Sequence, residues 1–112
     1  MIHLRHSATA EIPADVAFAY VDDHRTVPEW MFGMTRFQPV GTQVSGLGTV
    51  YDATMRVGPK TLDSRVEVVE WEFGRSLALE SVAGMRSAST WRFIEIGDER
   101  TRLDVDGLRN PV

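Results

Sequence analysis

The sequence has no cysteine. That excludes a disulfide framework and thiolate zinc sites, and it agrees with a reducing cytoplasm, where the protein is expected to reside. Lysine is nearly missing as well: Lys60 stands alone among twelve basic residues, and sixteen acidic ones leave a formal net charge of −4. A chain of that sign lacks the electrostatic footprint of a nucleic-acid binder. No apolar run approaches the ~20 residues that a membrane-spanning helix needs. Residues 1–12 carry His3, Arg5, His6 and Glu11, a pattern unlike a secretory signal. No segment repeats. What is present, 43% apolar and 25% charged residues in a chain of 112, suits one domain over residues 1–112.

The pattern predicts a strand over Ile2–Ile12, stopped by Pro13. From Pro13 to Asp23 the period becomes helical. At about 100° per residue, Ala14, Ala17, Phe18 and Val21 share a face, with Asp15, Ala19 and Asp22 assigned to the other side. Thr26 followed by Glu29, with Pro28 between, reads as a capping box that opens a second short helix carrying Trp30 and Met31 and ending at Gly33. Strands follow: Met34–Val40, then Thr49–Val57 with Tyr51, Ala53, Met55 and Val57 on one face. After Gly58-Pro59-Lys60 come Leu62, Ser64, Val66 and Val68 on one face, and Trp91 and Phe93 share a face with Ser89. Leu103 and Val105 alternate with charged neighbours, and Arg56, Arg65, Arg92 and Arg102 fall on the outer face. The expected fold is α+β: a curved seven-stranded antiparallel sheet with two short helices between strands 1 and 2.

Candidate chemistry is sparse. His3 and His6 lie on opposite faces of a strand and cannot hold one metal together. His24, in Asp22-Asp23-His24-Arg25, has the neighbours of an aspartate-oriented general base, but the residues favour an exposed loop histidine. Gly46-Leu-Gly48 precedes a strand rather than a helix, so it reads as a turn and not as a phosphate loop. Ser64, Glu70, Ser81 and Ser89 face inward by parity, Glu70 only if no bulge precedes Trp71, and for Glu70 an exposed strand-end position is the favoured reading. No metal and no cofactor is implied. The strongest set is apolar: Trp30, Phe32, Met34, Tyr51, Met55, Trp71, Trp91 and Phe93 either fill a core or line a small-molecule cavity.

Pro-x-x-Val-Ala-Phe-Ala-Tyr-Val-Asp-Asp (13–23), Val-Pro-Glu-Trp (27–30), Gly-Leu-Gly-Thr (46–49), Ser-Thr-Trp-Arg-Phe (89–93) and Thr-Arg-Leu (101–103) resemble the SRPBCC superfamily. Its members include START lipid-transfer domains, aromatic polyketide cyclases, coenzyme Q-binding proteins and the birch-pollen-allergen group. The resemblance covers residues 1 to about 106 and implies a helix-grip fold whose cavity holds a lipid, a polyketide or a quinone. It places the eight residues above, or a subset of them, along that cavity. It also implies a long C-terminal helix, which Gly107–Val112 is too short to form. Exposing ~500 Å² of apolar sheet would forfeit about 12 kcal/mol as an upper bound. The expectation is therefore a truncated or frameshifted member, or a homodimer in which a second copy covers the sheet. The expected function is binding of a hydrophobic small molecule. The alternatives are a cyclase- or dehydratase-like enzyme using Tyr51 or His24 for proton transfer, and an interaction subunit that docks through its open sheet.

Overall fold

The computed structural model describes residues 2–31, 33–84 and 86–109, with side chains described from Arg5 to Gly107 within those ranges. Strand β1 (Ile2–Ala10) leads into helix α1 (Ala14–Asp22), a 3-10 turn (His24–Thr26) and the one-turn helix α2 (Val27–Trp30). Six strands follow: β2 (Met34–Pro39), β3 (Val50–Val57), β4 (Lys60–Glu72), β5 (Ser76–Gly84), β6 (Ser87–Gly97) and β7 (Arg100–Arg109). They form one antiparallel sheet in the order β1-β7-β6-β5-β4-β3-β2. Each strand from β2 to β6 pairs with its successor, so short turns suffice for most of the sheet. Only β1 reaches across, pairing with β7 from Ile2↔Arg109 to Ala10↔Thr101. This is the expected curled seven-stranded sheet with two short helices, a helix-grip-like α+β fold.

The helices lie on the curled inner face, and α1 presents Phe18 to it. Phe18 has no exposure, Ala14 is buried, and Ala17 and Val21 pack against the same core. Asp22 departs from the expected helical face. It lies one turn beyond Phe18 and turns inward, its Oδ1 accepting the Trp71 indole N–H at 3.1 Å. The capping box is also absent. Thr26 is itself helical, with φ −87° and ψ −18°, and caps nothing. The cap belongs to Asp23, whose carboxylate accepts the Arg25 backbone N–H. The Thr26 hydroxyl makes other contacts. It is shared between the carbonyls of Tyr20 at 2.7 Å and Asp23 at 2.9 Å, and it accepts the Trp30 indole N–H at 2.9 Å. One oxygen thus ties the end of α1 to α2.

The sheet alternation holds, with two local exceptions. Tyr51, Ala53, Val66, Val68, Leu77, Trp91 and Phe93 are buried on the inner face. In β4 the register shifts between Val68 and Glu70, so that Glu70 pairs with Ala78 and is exposed, while Trp71 pairs with Leu77 and turns inward. This bulge inserts one extra residue and reverses the faces beyond it, so Glu70 takes the exposed position favoured for it rather than the inward one that unbroken parity would give. A second shift, between Arg65 and Val66, leaves Ser81 opposite Val66. On the outer face Arg65 pairs with Asp52 at 2.9 Å and Arg102 with Asp104 at 3.2 Å. These are surface pairs of small energetic weight.

Gly33 turns the chain out of α2 with φ +86°, and a Cβ there would stand 3.0 Å from the Arg56 carbonyl oxygen. It lies beyond the end of α2, at the close approach that starts β2 against β3 (Arg56 N–H to Gly33 C=O, 2.7 Å). Strand β7 continues to Arg109, past the alternation that announces it. Residues 110–112 lie outside the described residues, and among the described residues no helix follows β7.

Candidate functional site

Where α1 and α2 meet the sheet, the inner face forms a pocket walled by Val21, Val27, Trp30, Met31, Phe37, Tyr51, Val68, Leu77, Leu79 and Trp91, with Asp22 at its rim. Its free volume is about 30 Å³. That is room for about one water, far below the ~300 Å³ at which small-molecule sites begin. The side chains themselves fill it. Trp30 meets Trp91 edge-on at 4.9 Å between ring centroids, and Phe37 stacks on Tyr51 at 4.5 Å. The Trp91 indole N–H is given to the Ser89 hydroxyl at 3.2 Å, so this ring carries no unpaired polar group into the apolar space.

The rest of the inner face is only partly covered. Strand pairing puts Met34 opposite Met55, Met55 opposite Leu62, and Val105 opposite Trp91. Met34, Met55, Leu62, Leu79 and Val105 are half-buried, with Ser64, Ser81 and Ser89 among them. Polarity on this strip is low: the Ser81 hydroxyl accepts the Ser87 backbone N–H and so is spoken for.

At the other side of the pocket rim, four ionisable groups gather around the end of α1. Tyr51 donates its hydroxyl to the Val44 carbonyl at 2.6 Å, and the His24 ring lies 6.2 Å from the Tyr51 ring. Burial, then the charges of Asp22 and Asp23, push the Tyr51 phenol up to about 12. It therefore keeps its proton at neutral pH and spends it on a backbone oxygen, which makes it a poor acid or base. Asp22 is raised above the usual carboxylate range, chiefly by burial; the Trp71 indole bond opposes this and the charge of Asp23 adds to it. Asp23, one residue on, is held down to about 2, first by the Arg25 side-chain hydrogen bond. His24 is half-buried against Tyr51 rather than fully exposed. Among the described residues no group of three or more His, Asp and Glu gathers as a metal site would require.

Of the eight residues expected along a cavity, the structure brings Trp30, Tyr51 and Trp91 to one pocket. Trp71 and Phe93 pack instead around Phe18, at centroid distances of 5.6 and 5.2 Å. Met34 and Met55 stand opposite each other at the far end of the strip. Phe32 lies outside the described residues. Val21, Val27, Met31, Phe37, Val68, Leu77 and Leu79 complete the pocket, set on the inner face by their spacing along the helices and strands. Asp22 joins the same lining, held there by the Trp71 indole.

The comparisons agree with this architecture. The family described as polyketide cyclase / dehydrase and lipid transport matches residues 1–112, and the chain belongs to that family. A START superfamily protein from Mycobacterium smegmatis superposes with a TM-score of 0.82 at 12% identity, over 98% of this chain and 79% of that one. The Zhui aromatase/cyclase from Streptomyces sp. R1128 gives 0.72 at 19% identity, over 99% and 70%. The protein TTHA0849 from Thermus thermophilus gives 0.84 at 17% identity, over 99% and 75%. At such identities the likeness shows the fold alone. No curated protein sequence matches the chain. Among the described residues no helix is long and apolar enough to cross a membrane.

Proposed function

We propose that the protein binds a hydrophobic small molecule, of lipid, polyketide or quinone type, on the inner face of the sheet. The observation that carries this reading is the part-exposed apolar set Met34, Met55, Leu62, Leu79 and Val105 on the inner face, of which Leu79 also walls the pocket with Trp30, Tyr51 and Trp91. The family to which the chain belongs, with lipid transport in its description, supports the same class of ligand. A guest on this strip would lay its apolar body along β3–β6 and meet Trp30 and Met31 at the edge of α2. The filled pocket admits none of it unless α2 moves. The gain is the ordinary one for apolar contact, about 25 cal/mol per Å² removed from water.

An anilinonaphthalene dye, competed by oleate or by a naphthoquinone, tests the reading. The dye should bind saturably, and Leu79→Lys, which sets a charge in mid-strip, should weaken it by about tenfold or more. A dye that ignores Leu79→Lys, or that does not bind, removes the proposal. A second reading uses the same open strip: a homodimer in which a second copy covers it, and with it a docking role for the sheet. Light scattering at micromolar concentration that finds a folded monomer removes that one.

A further inference from the structure

A second recess opens at the C-terminal end of α1, sharing Asp22 with the inner-face pocket, and calls for a different ligand. It runs between the end of α1, residues 22–25, and the β2–β3 loop at Val44 and Ser45, with Ala19, Trp71 and Phe73 completing its walls. Its volume is about 580 Å³, within the range of ~300–1,000 Å³ typical of small-molecule sites. The walls include two aromatic rings, Trp71 and Phe73, with centroids 6.2 Å apart and planes inclined by 45°. Phe73 is 55% exposed and Val44 51% exposed, so apolar surface is left to solvent here.

The recess is lined by two carboxylates, Asp22 and Asp23, by the Arg25 guanidinium and by the His24 ring. Helix α1 has no basic residue in its last turn, and its C-terminal carbonyls carry partial negative charge. Asp23 is satisfied by Arg25, through Nε at 3.0 Å and Nη2 at 2.8 Å. Asp22 receives only the neutral indole N–H of Trp71, and among the described residues no arginine or lysine pairs with it. Asp22 thus lies at the negative end of a helix, in a recess that Trp71 and Phe73 also line. Carboxylate, helix end and aromatic rings all favour the same partner, a cation with apolar substituents.

We propose that this recess binds a small organic cation, an ammonium group carried on an apolar or aromatic body, with Asp22 as its counter-charge. The site is separate from the inner-face strip and does not depend on it. Binding is read from the Trp71 indole N–H resonance, assigned through Trp71→Phe, in titrations with naphthylmethylammonium and its neutral counterpart naphthylmethanol. The ammonium compound should bind about tenfold tighter or better. Asp22→Asn keeps an oxygen for the indole and loses the charge, and it should reduce the ammonium compound to the affinity of the alcohol. Val44→Lys, an exposed loop substitution that adds a competing cation, should do the same and decides the matter if Asp22→Asn does not fold. Leu79→Lys should leave this titration unchanged, which separates the result from the fate of the inner-face reading. Equal affinity for the two compounds, a preference that survives both variants, or a Trp71 resonance that moves with neither compound overturns the proposal.

Discussion

The two ends of the same inner sheet face are finished differently. Beneath α1, Phe18 has no exposure and is ringed by Trp71, Phe73 and Phe93 at centroid distances of 5.6, 5.3 and 5.2 Å. Past α2, the same alternation of apolar side chains continues through Leu79, Met55 and Leu62, yet none of these is fully buried. Strand periodicity decides which face is apolar. How much of that face becomes core is decided by the reach of the covering elements, here a nine-residue and a four-residue helix. A core and a binding surface can therefore be built from one continuous pattern, differing only in what lies on top.

Truncation on either side of that boundary is the most forceful way to break the comparison. Phe18→Ala removes the ring at the centre of the aromatic cluster and should cost about 3–5 kcal/mol in urea denaturation. Leu79→Ala, on the open part, should cost about 1 kcal/mol, because its side chain is already part-wetted. Equal losses would mean that the strip is sealed in solution, and concentration-dependent melting would then point to a second copy as the seal. Next in size is Thr26→Val. It removes the hydroxyl that ties Tyr20 and Asp23 to the Trp30 indole and leaves that indole without its acceptor, at a cost of about 1–2 kcal/mol. Because the same oxygen fixes α2 over the pocket, Trp30 emission should shift to the red and dye uptake should rise. An unchanged spectrum would show that α2 is held by packing alone.

The fold was legible because its signals are local. Phe18 and Ala14 declare a helical face, Tyr51 and Ala53 a strand face, and Gly58-Pro59 a hairpin, each without reference to distant residues. The site was legible only in part. Trp30, Tyr51 and Trp91 share one pocket, whereas Trp71 and Phe93, with the same composition and the same inward direction, pack on Phe18. Which aromatic packs and which lines a surface depends on where α1 crosses the sheet, a tertiary fact that no spacing encodes. The direction of Glu70 turned on one inserted residue at the bulge, and Thr26 was misplaced by a 3-10 turn that starts at His24, one turn too early for the capping box. Asp22 was misplaced for a different reason: a carboxylate at a helix end is ordinarily solvated, and only the Trp71 indole supplies a cause for turning it inward.

The smallest expected effect sharpens the comparison within a single pair of neighbours. Asp22 and Asp23 are shifted in opposite directions, so they should tilt stability against pH with opposite signs. The folded-state pKa of Asp22 is raised above its reference of 3.8, so the unfolded chain ionises first. Its contribution is intact below that value and is lost as pH rises through the folded-state pKa. Asp23 is lowered from 3.8 to about 2; its contribution is present above the unfolded value and is lost as pH falls through about 2. Denaturation of Asp22→Asn and Asp23→Asn across the acid range should therefore give difference curves of opposite slope. Salt should flatten the Asp23 curve, since its Arg25 partner is 79% exposed and screened. The Asp22 curve should persist, because burial is its first cause and ions in solution do not relieve desolvation. Curves of the same sign, or an Asp22 curve that salt erases, would show that the two carboxylates share one solvated environment and that the contact between Asp22 and Trp71 does not keep water out.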